Sequence, residues 1–282
     1  MNLSPDRSTD QNSVWKGPGA RGWVEAQALL DQTFKPLEAL LADAVSEASA
    51  GPILDVGCGT GATTVAVAKR LGADGRCLGI DLSEEMIAAA RARAEREGVS
   101  VTFMCSDAQT CQFHPPAVDM IISRFGVMFF DDPIQAFANL RGAGSNGAAL
   151  RCIVWRGPED NLFMTAAEQA AEPFLPGVSR RVPREPGQFG FAERAHVRDI
   201  LAASGWRDVD ITPVDVPCAF PEAELDLYLS RLGPVGRALQ TVDERTRDKV
   251  LAVVRPAFDP YLHGAEVRFT AACWVVSARA RA

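Results

Sequence analysis

The run Ile53-Leu54-Asp55-Val56-Gly57-Cys58-Gly59-Thr60-Gly61 constrains the fold more than any other stretch of the chain. A short, nearly continuous apolar strand ends directly in a glycine-rich turn, and residues 62–71 then read as a helix. Strands buried on both faces carry such unbroken apolar runs, and they belong to parallel sheets whose crossovers are helices. The alternation continues down the chain. Strands are expected at 76–81, 99–105, 118–123, 149–155, 209–216 and 267–277. Helices are expected at 23–50, 133–141, 193–204 and from Ser83 to about residue 97. Ser83 is the N-cap of the last of these, with Glu84 and Glu85 in its first turn. The reading is an α/β, Rossmann-like fold: one domain over residues 23–282 behind a flexible segment 1–22. Two stretches interrupt the pattern, at about 157–192 and 217–265, and are read as cap insertions.

Charge and length narrow the function. Asp plus Glu number 36 against 29 Lys plus Arg, a net charge of −7 over 282 residues. A nucleic-acid binder needs a basic face to neutralise phosphates, and none is visible here. No apolar run reaches the ~18 residues of a membrane span, and no secretory signal is recognisable, so the chain is expected to be cytoplasmic without a membrane span. Seven cysteines without a CxxC pair read as reduced thiols, and no Cys or His grouping has metal-ligand spacing.

The glycine turn alone leaves two cofactors open. Gly57-x-Gly59-x-x-Ala62 fits a dinucleotide fingerprint, with Asp81 placed to hold a ribose. Asp55 argues the other way. A carboxylate just before the first glycine repels an entering pyrophosphate and favours a ligand bearing an ammonium or sulfonium, and S-adenosylmethionine has both. Asp81, at the end of the second strand, would accept both ribose hydroxyls. Asp107, after the third strand, would accept from an adenine amine while the Ala108 N–H donates to the ring.

These motifs resemble those of the class I S-adenosylmethionine-dependent methyltransferases. The first run is nearly their leading motif. Gly79-Ile80-Asp81-Leu82-Ser83-x-x-Met86, Ser106-Asp107-Ala108 and Asp119-Met120-Ile121-Ile122-Ser123-Arg124-Phe125 resemble the next three. Residues 125–133 resemble a small-molecule branch near the ubiquinone/menaquinone-biosynthesis type. The resemblance implies a seven-stranded, mostly parallel sheet of order 3-2-1-4-5-7-6 with strand 7 antiparallel. It implies cofactor contacts at Asp55, Gly57, Cys58, Gly59, Gly61, Asp81, Leu82, Met86, Asp107, Ala108 and Ser123. One departure is Gly144-Ser145-Asn146-Gly147-Ala148 where the family often has Leu-x-Pro-Gly-Gly; it is read as a turn, with Gly142 and Gly144 fraying the helix before it.

The expected acceptor is a small molecule, its reacting atom (O, N, S or C) and the oligomeric state unresolved. Phe125, Met128, Phe129, Trp155 and Tyr228 are the candidate pocket residues, and His263 is the candidate base, although in-line placement against an activated methyl needs little more than positioning. Two alternatives stay open: a protein that binds S-adenosylmethionine without transferring its methyl, and an NAD(P)-dependent oxidoreductase.

Overall fold

Strand β1 (Ile53–Val56) is buried along its whole length and lies between two parallel neighbours. These are β2 (Cys77–Asp81) and β4 (Val118–Arg124). The computed structural model describes residues 14–45, 51–72, 76–113 and 118–280. The sheet continues outward through β3 (Thr102–Cys105) on one side and β5 (Gly144–Trp155) on the other. Beyond β5 come β8 (Glu266–Arg279) and then β6 (Arg207–Pro221), β8 running antiparallel to both. The order is thus β3-β2-β1-β4-β5-β8-β6. This is the expected topology, with β8 as the antiparallel strand. One strand was not foreseen: β7 (Leu262–His263) folds back on β8 across a turn containing Gly264 at φ +66°.

Helices α4 (Ala62–Leu71), α5 (Glu84–Arg96) and α6 (Pro133–Ala143) follow β1, β2 and β4, and α7 (Leu162–Ala171) and α8 (Arg194–Ala203) both lie between β5 and β6. The expected cap of α5 is present, Ser83 Oγ accepting from the Met86 N–H at 3.3 Å. The insertion before β8 adds α9 (Leu225–Arg231), α10 (Gly233–Leu239) and α11 (Glu244–Val254).

Three local expectations are corrected. The single helix expected over 23–50 is three short ones, α1 (Pro18–Glu25), α2 (Gln27–Thr33) and α3 (Lys35–Ala44), broken at Ala26 and Phe34. Pro36 in the first turn of α3 gives the physical reason, because it starts a helix more readily than it continues one. Part of the segment expected to be flexible is packed: Ala20 is 1% exposed, and a Cβ on Gly22 would lie 2.4 Å from the Arg231 carbonyl of α9. Residues 1–13 and 46–50 lie outside the described residues. Finally, Gly142 does not fray α6, whose neighbouring Leu140 and Ala143 are buried, and 144–148 enters β5 through a register shift, with Gly147 at φ +75°.

Candidate functional site

The site forms where the carboxyl ends of β1, β2 and β4 splay apart, the usual ligand position in an open α/β sheet. Two loops cross there at contact distance. A Cβ on Gly57 would lie 2.6 Å from the Gly126 Cα, and one on Gly126 only 2.5 Å from the Val56 carbonyl oxygen. Ser123 fixes the crossing, its Oγ donating to the Val56 carbonyl at 2.7 Å and accepting from the Gly126 N–H at 3.2 Å. Between them Phe125 takes φ +67°, uncommon for a side chain of that size. Its N–H donates to the Ile153 carbonyl at 2.9 Å, and its ring stacks on Trp155 with centroids 4.3 Å apart.

The backbone donors of the glycine turn are satisfied inside the protein. The Gly57 and Cys58 N–H groups donate to the Ile80 carbonyl at 2.9 and 3.0 Å, and the Gly61 N–H to the Cys58 carbonyl at 3.0 Å. The Gly59 N–H donates to Asp81 Oδ2 at 2.9 Å, while the Ser83 N–H donates to Oδ1 at 2.9 Å. Asp81 is thus held rigidly at the end of β2. Burial raises its pKa, and the N–H groups bonded to it pull in the opposite direction. Each of its oxygens keeps capacity for a further donor, since a carboxylate accepts about four hydrogen bonds. Asp107 is fixed in the same manner, Oδ1 accepting from the Gln109 N–H at 2.8 Å.

Asp55 is placed differently from the sequence expectation. It is 1% exposed and turns beneath the loop, where Oδ2 accepts from the Thr64 hydroxyl of α4 at 2.7 Å. Burial pushes its carboxyl up to about 7, against the opposing pull of Thr64 and of the Arg124 charge.

One cleft of about 1140 Å³ covers this edge. Of the expected cofactor residues, Gly57, Gly59, Asp81, Leu82, Met86, Asp107 and Ala108 line it. Asp55, Cys58, Gly61 and Ser123 do not; they support the lining from behind, Gly61 because a Cβ there would meet Ala90 and Phe103 at 2.9 and 3.0 Å. All five expected pocket residues, Phe125, Met128, Phe129, Trp155 and Tyr228, line the cleft. His263 is the clear miss. It sits exposed on the β7 hairpin and outside the lining, because the hairpin carries it to the surface.

Further wall residues, several of them inside the expected cap insertions, were not among the expected pocket residues. Arg124, Phe34, the segment 180–190 and Arg237 of α10 all line the cleft. Trp15 reaches in from the N-terminal side, its ring 4.9 Å from that of Phe129 and edge-on to it. Arginines scattered through a chain with 29 basic residues carry no sequence signal for this position. Among the described residues no group of His, Cys, Asp and Glu is arranged to hold a metal, and no helix is long and apolar enough to cross a membrane.

Comparison with known proteins agrees with this layout. The family described as "Methyltransferase domain" matches residues 53–145, the half of the sheet that carries the glycine turn. The chain is 29% identical over 133 residues to aklanonic acid methyltransferase DauC of Streptomyces sp. (strain C5), a match covering 45% of this chain and 60% of that protein. It is 31% identical over 118 residues to demethylmenaquinone methyltransferase of Lactiplantibacillus plantarum, covering 41% of this chain and 50% of that protein. The chain therefore spans less than two thirds of either relative. The fold is shared with the crystal structure of the YcgJ protein from Bacillus subtilis, at a TM-score of 0.58 and 16% identity, covering 88% of this chain and 99% of that one.

Proposed function

We propose that this chain, whose residues 53–145 match the methyltransferase-domain family, transfers a methyl group from S-adenosylmethionine to a small-molecule acceptor. The observation that carries the reading is the closed glycine turn. In a dinucleotide site the loop amides and the following helix N-terminus face a pyrophosphate. Here four loop amides are bonded internally, and the first turn of α4 does not line the cleft. The polar group offered to a ligand is a carboxylate, Asp81, suited to two ribose hydroxyls. Nearby, Leu82, Met86 and Ala108 form an apolar slot beside Asp107, which fits a purine with an exocyclic amine.

The residues present therefore fit the cofactor. When bound, it supplies a methyl already activated by a sulfonium. The protein's part is to hold Asp81 rigid, to shape the walls with Phe125, Met128 and Trp155, and to keep water from the methyl. A cleft of about 1140 Å³ exceeds the ~300–1,000 Å³ of an ordinary single-ligand pocket, which leaves room for an acceptor beside the cofactor. The names of the two relatives, which specify aklanonic acid and demethylmenaquinone, support an acceptor of small-molecule size.

A labelled-methyl screen over a metabolite library tests this reading. Label is expected in a small-molecule product with the wild-type protein and lost with Asp81→Ala. Cofactor binding without label in any product would favour the alternative of a binding protein that does not transfer.

A further inference from the structure

On the reading just given, the part of the cleft away from the glycine turn receives the acceptor. Its walls there are apolar: Met128, Trp155, Met164, Phe189, Tyr228 and Leu232. Its polar groups are of both signs, Glu159, Glu185 and Glu193 among them, and two arginines stand beside the apolar walls. Arg181 and Arg237 both line the cleft. They flank one carboxylate, Glu168 of α7, which is 1% exposed and bonded through Oε2 to Arg181. Glu168 Oε1 has no partner among the described residues. Arg237 interacts with Glu168 only through space, and its guanidinium makes no hydrogen bond or ion pair among the described residues. A third donor, Gln188 Nε2, is buried and unpartnered where the neighbouring Gly187 N–H bonds the Met128 carbonyl at 3.0 Å.

Two guanidiniums against one carboxylate leave a net positive charge in a partly dry wall, and burial lowers the Arg237 pKa accordingly. Burial also pushes the Glu168 carboxyl up to about 7, so at neutral pH it offsets only part of that charge. A desolvated cation and an unpartnered amide are both costly until an acceptor atom reaches them. We propose that the methyl acceptor is an acidic aromatic compound, its ring held between the apolar walls and its carboxylate or phenolate oxygen bound by Arg237 with help from Gln188. The guanidinium fork suits such an oxygen better than an ammonium would.

The test uses calorimetry on the full chain in two steps. S-adenosylhomocysteine is titrated first, and its binding checks the cofactor reading by itself. The loaded protein is then titrated with benzoate, 2-naphthoate and anthraquinone-2-carboxylate, each against its neutral carboxamide. At least one acid should bind about tenfold or more tighter than its amide in the wild type. That preference should vanish in Arg237→Gln, return in part in Arg237→Lys, and fall when Gln188→Ala is made. Binding of S-adenosylhomocysteine with no preference for any acid, including no acceptor binding at all, would overturn the proposal and leave the cofactor reading standing. An acid preference that survives in Arg237→Gln would overturn the role of Arg237. Failure of S-adenosylhomocysteine itself to bind would remove the premise and the proposal together.

Discussion

Asp55 is a carboxylic acid with one hydroxyl partner and almost no access to water, and its proton has a thermodynamic consequence. Its folded-state pKa, about 7, lies well above the ordinary aspartate value, so the folded protein holds the proton more tightly than the unfolded chain does. Stability from this group is complete below about pH 4 and is lost as pH rises towards 7. Asp55→Asn keeps an acceptor for Thr64 and removes the titration. Chemical denaturation of the two proteins should give curves that diverge between these pH values, the mutant being the more stable at pH 8 by on the order of 4 kcal/mol. A constant difference across the range would contradict the buried, neutral acid. Asp81 behaves otherwise, because it lines the cleft: Asp81→Ala should weaken S-adenosylhomocysteine binding by about 2–4 kcal/mol, measured by calorimetry, and a change within twofold would refute the ribose assignment. Both aspartates were expected to contact the cofactor from their places at strand ends, but only Asp81 lines the cleft. That difference was not legible, because the partner of Asp55 is a threonine on the next helix whose rotation a linear sequence does not reveal. His263 failed for the related reason that its two-residue strand is too short to leave a periodic signal.

Among the elements, the crossing of the loops after β1 and β4 sets the shape of the cleft floor. Gly57 at φ +65° needs glycine for its backbone, whereas Gly126 needs it only for space. Gly126→Ala should therefore push the β4 loop off the Val56 carbonyl, break the Ser123 clamp, and cost about 2–4 kcal/mol of stability in urea unfolding. A cost below about 0.5 kcal/mol would mean the loops part without strain. The strand order was readable from apolar runs separated by helical stretches, since each parallel strand is buried on both faces. The breaks between α1, α2 and α3 were not, because their apolar residues keep helical spacing straight through Ala26 and Phe34. The length of β6 escaped for another reason: its residues alternate between buried and exposed as it runs beyond the helices, so its far half lacks the dense apolar signature of the centre.

For the molecule as a whole, a net charge of −7 coexists with a cleft lined by Arg124, Arg180, Arg181, Arg184 and Arg237 as well as by acids. That contrast is what folding adds to composition: Arg181 and Arg237 come from segments 56 residues apart and meet around one glutamate. The expected cofactor residues that line the cleft were legible because they lie in contiguous motifs at strand ends, while Asp55, Cys58, Gly61 and Ser123 of the same motifs sit behind the lining. The rest of the cleft draws on the N-terminal helices and the two insertions; Phe125, Met128, Phe129, Trp155 and Tyr228 were expected there, whereas no local pattern marks Arg237 or Gln188. On the function proposed above, this cleft takes S-adenosylmethionine and not a dinucleotide. Parallel calorimetric titrations of the wild-type protein with S-adenosylhomocysteine and with NAD separate the two. Saturable one-to-one binding of S-adenosylhomocysteine is expected, with no measurable heat from NAD at the same concentrations; tight NAD binding with none of S-adenosylhomocysteine would overturn the cofactor assignment.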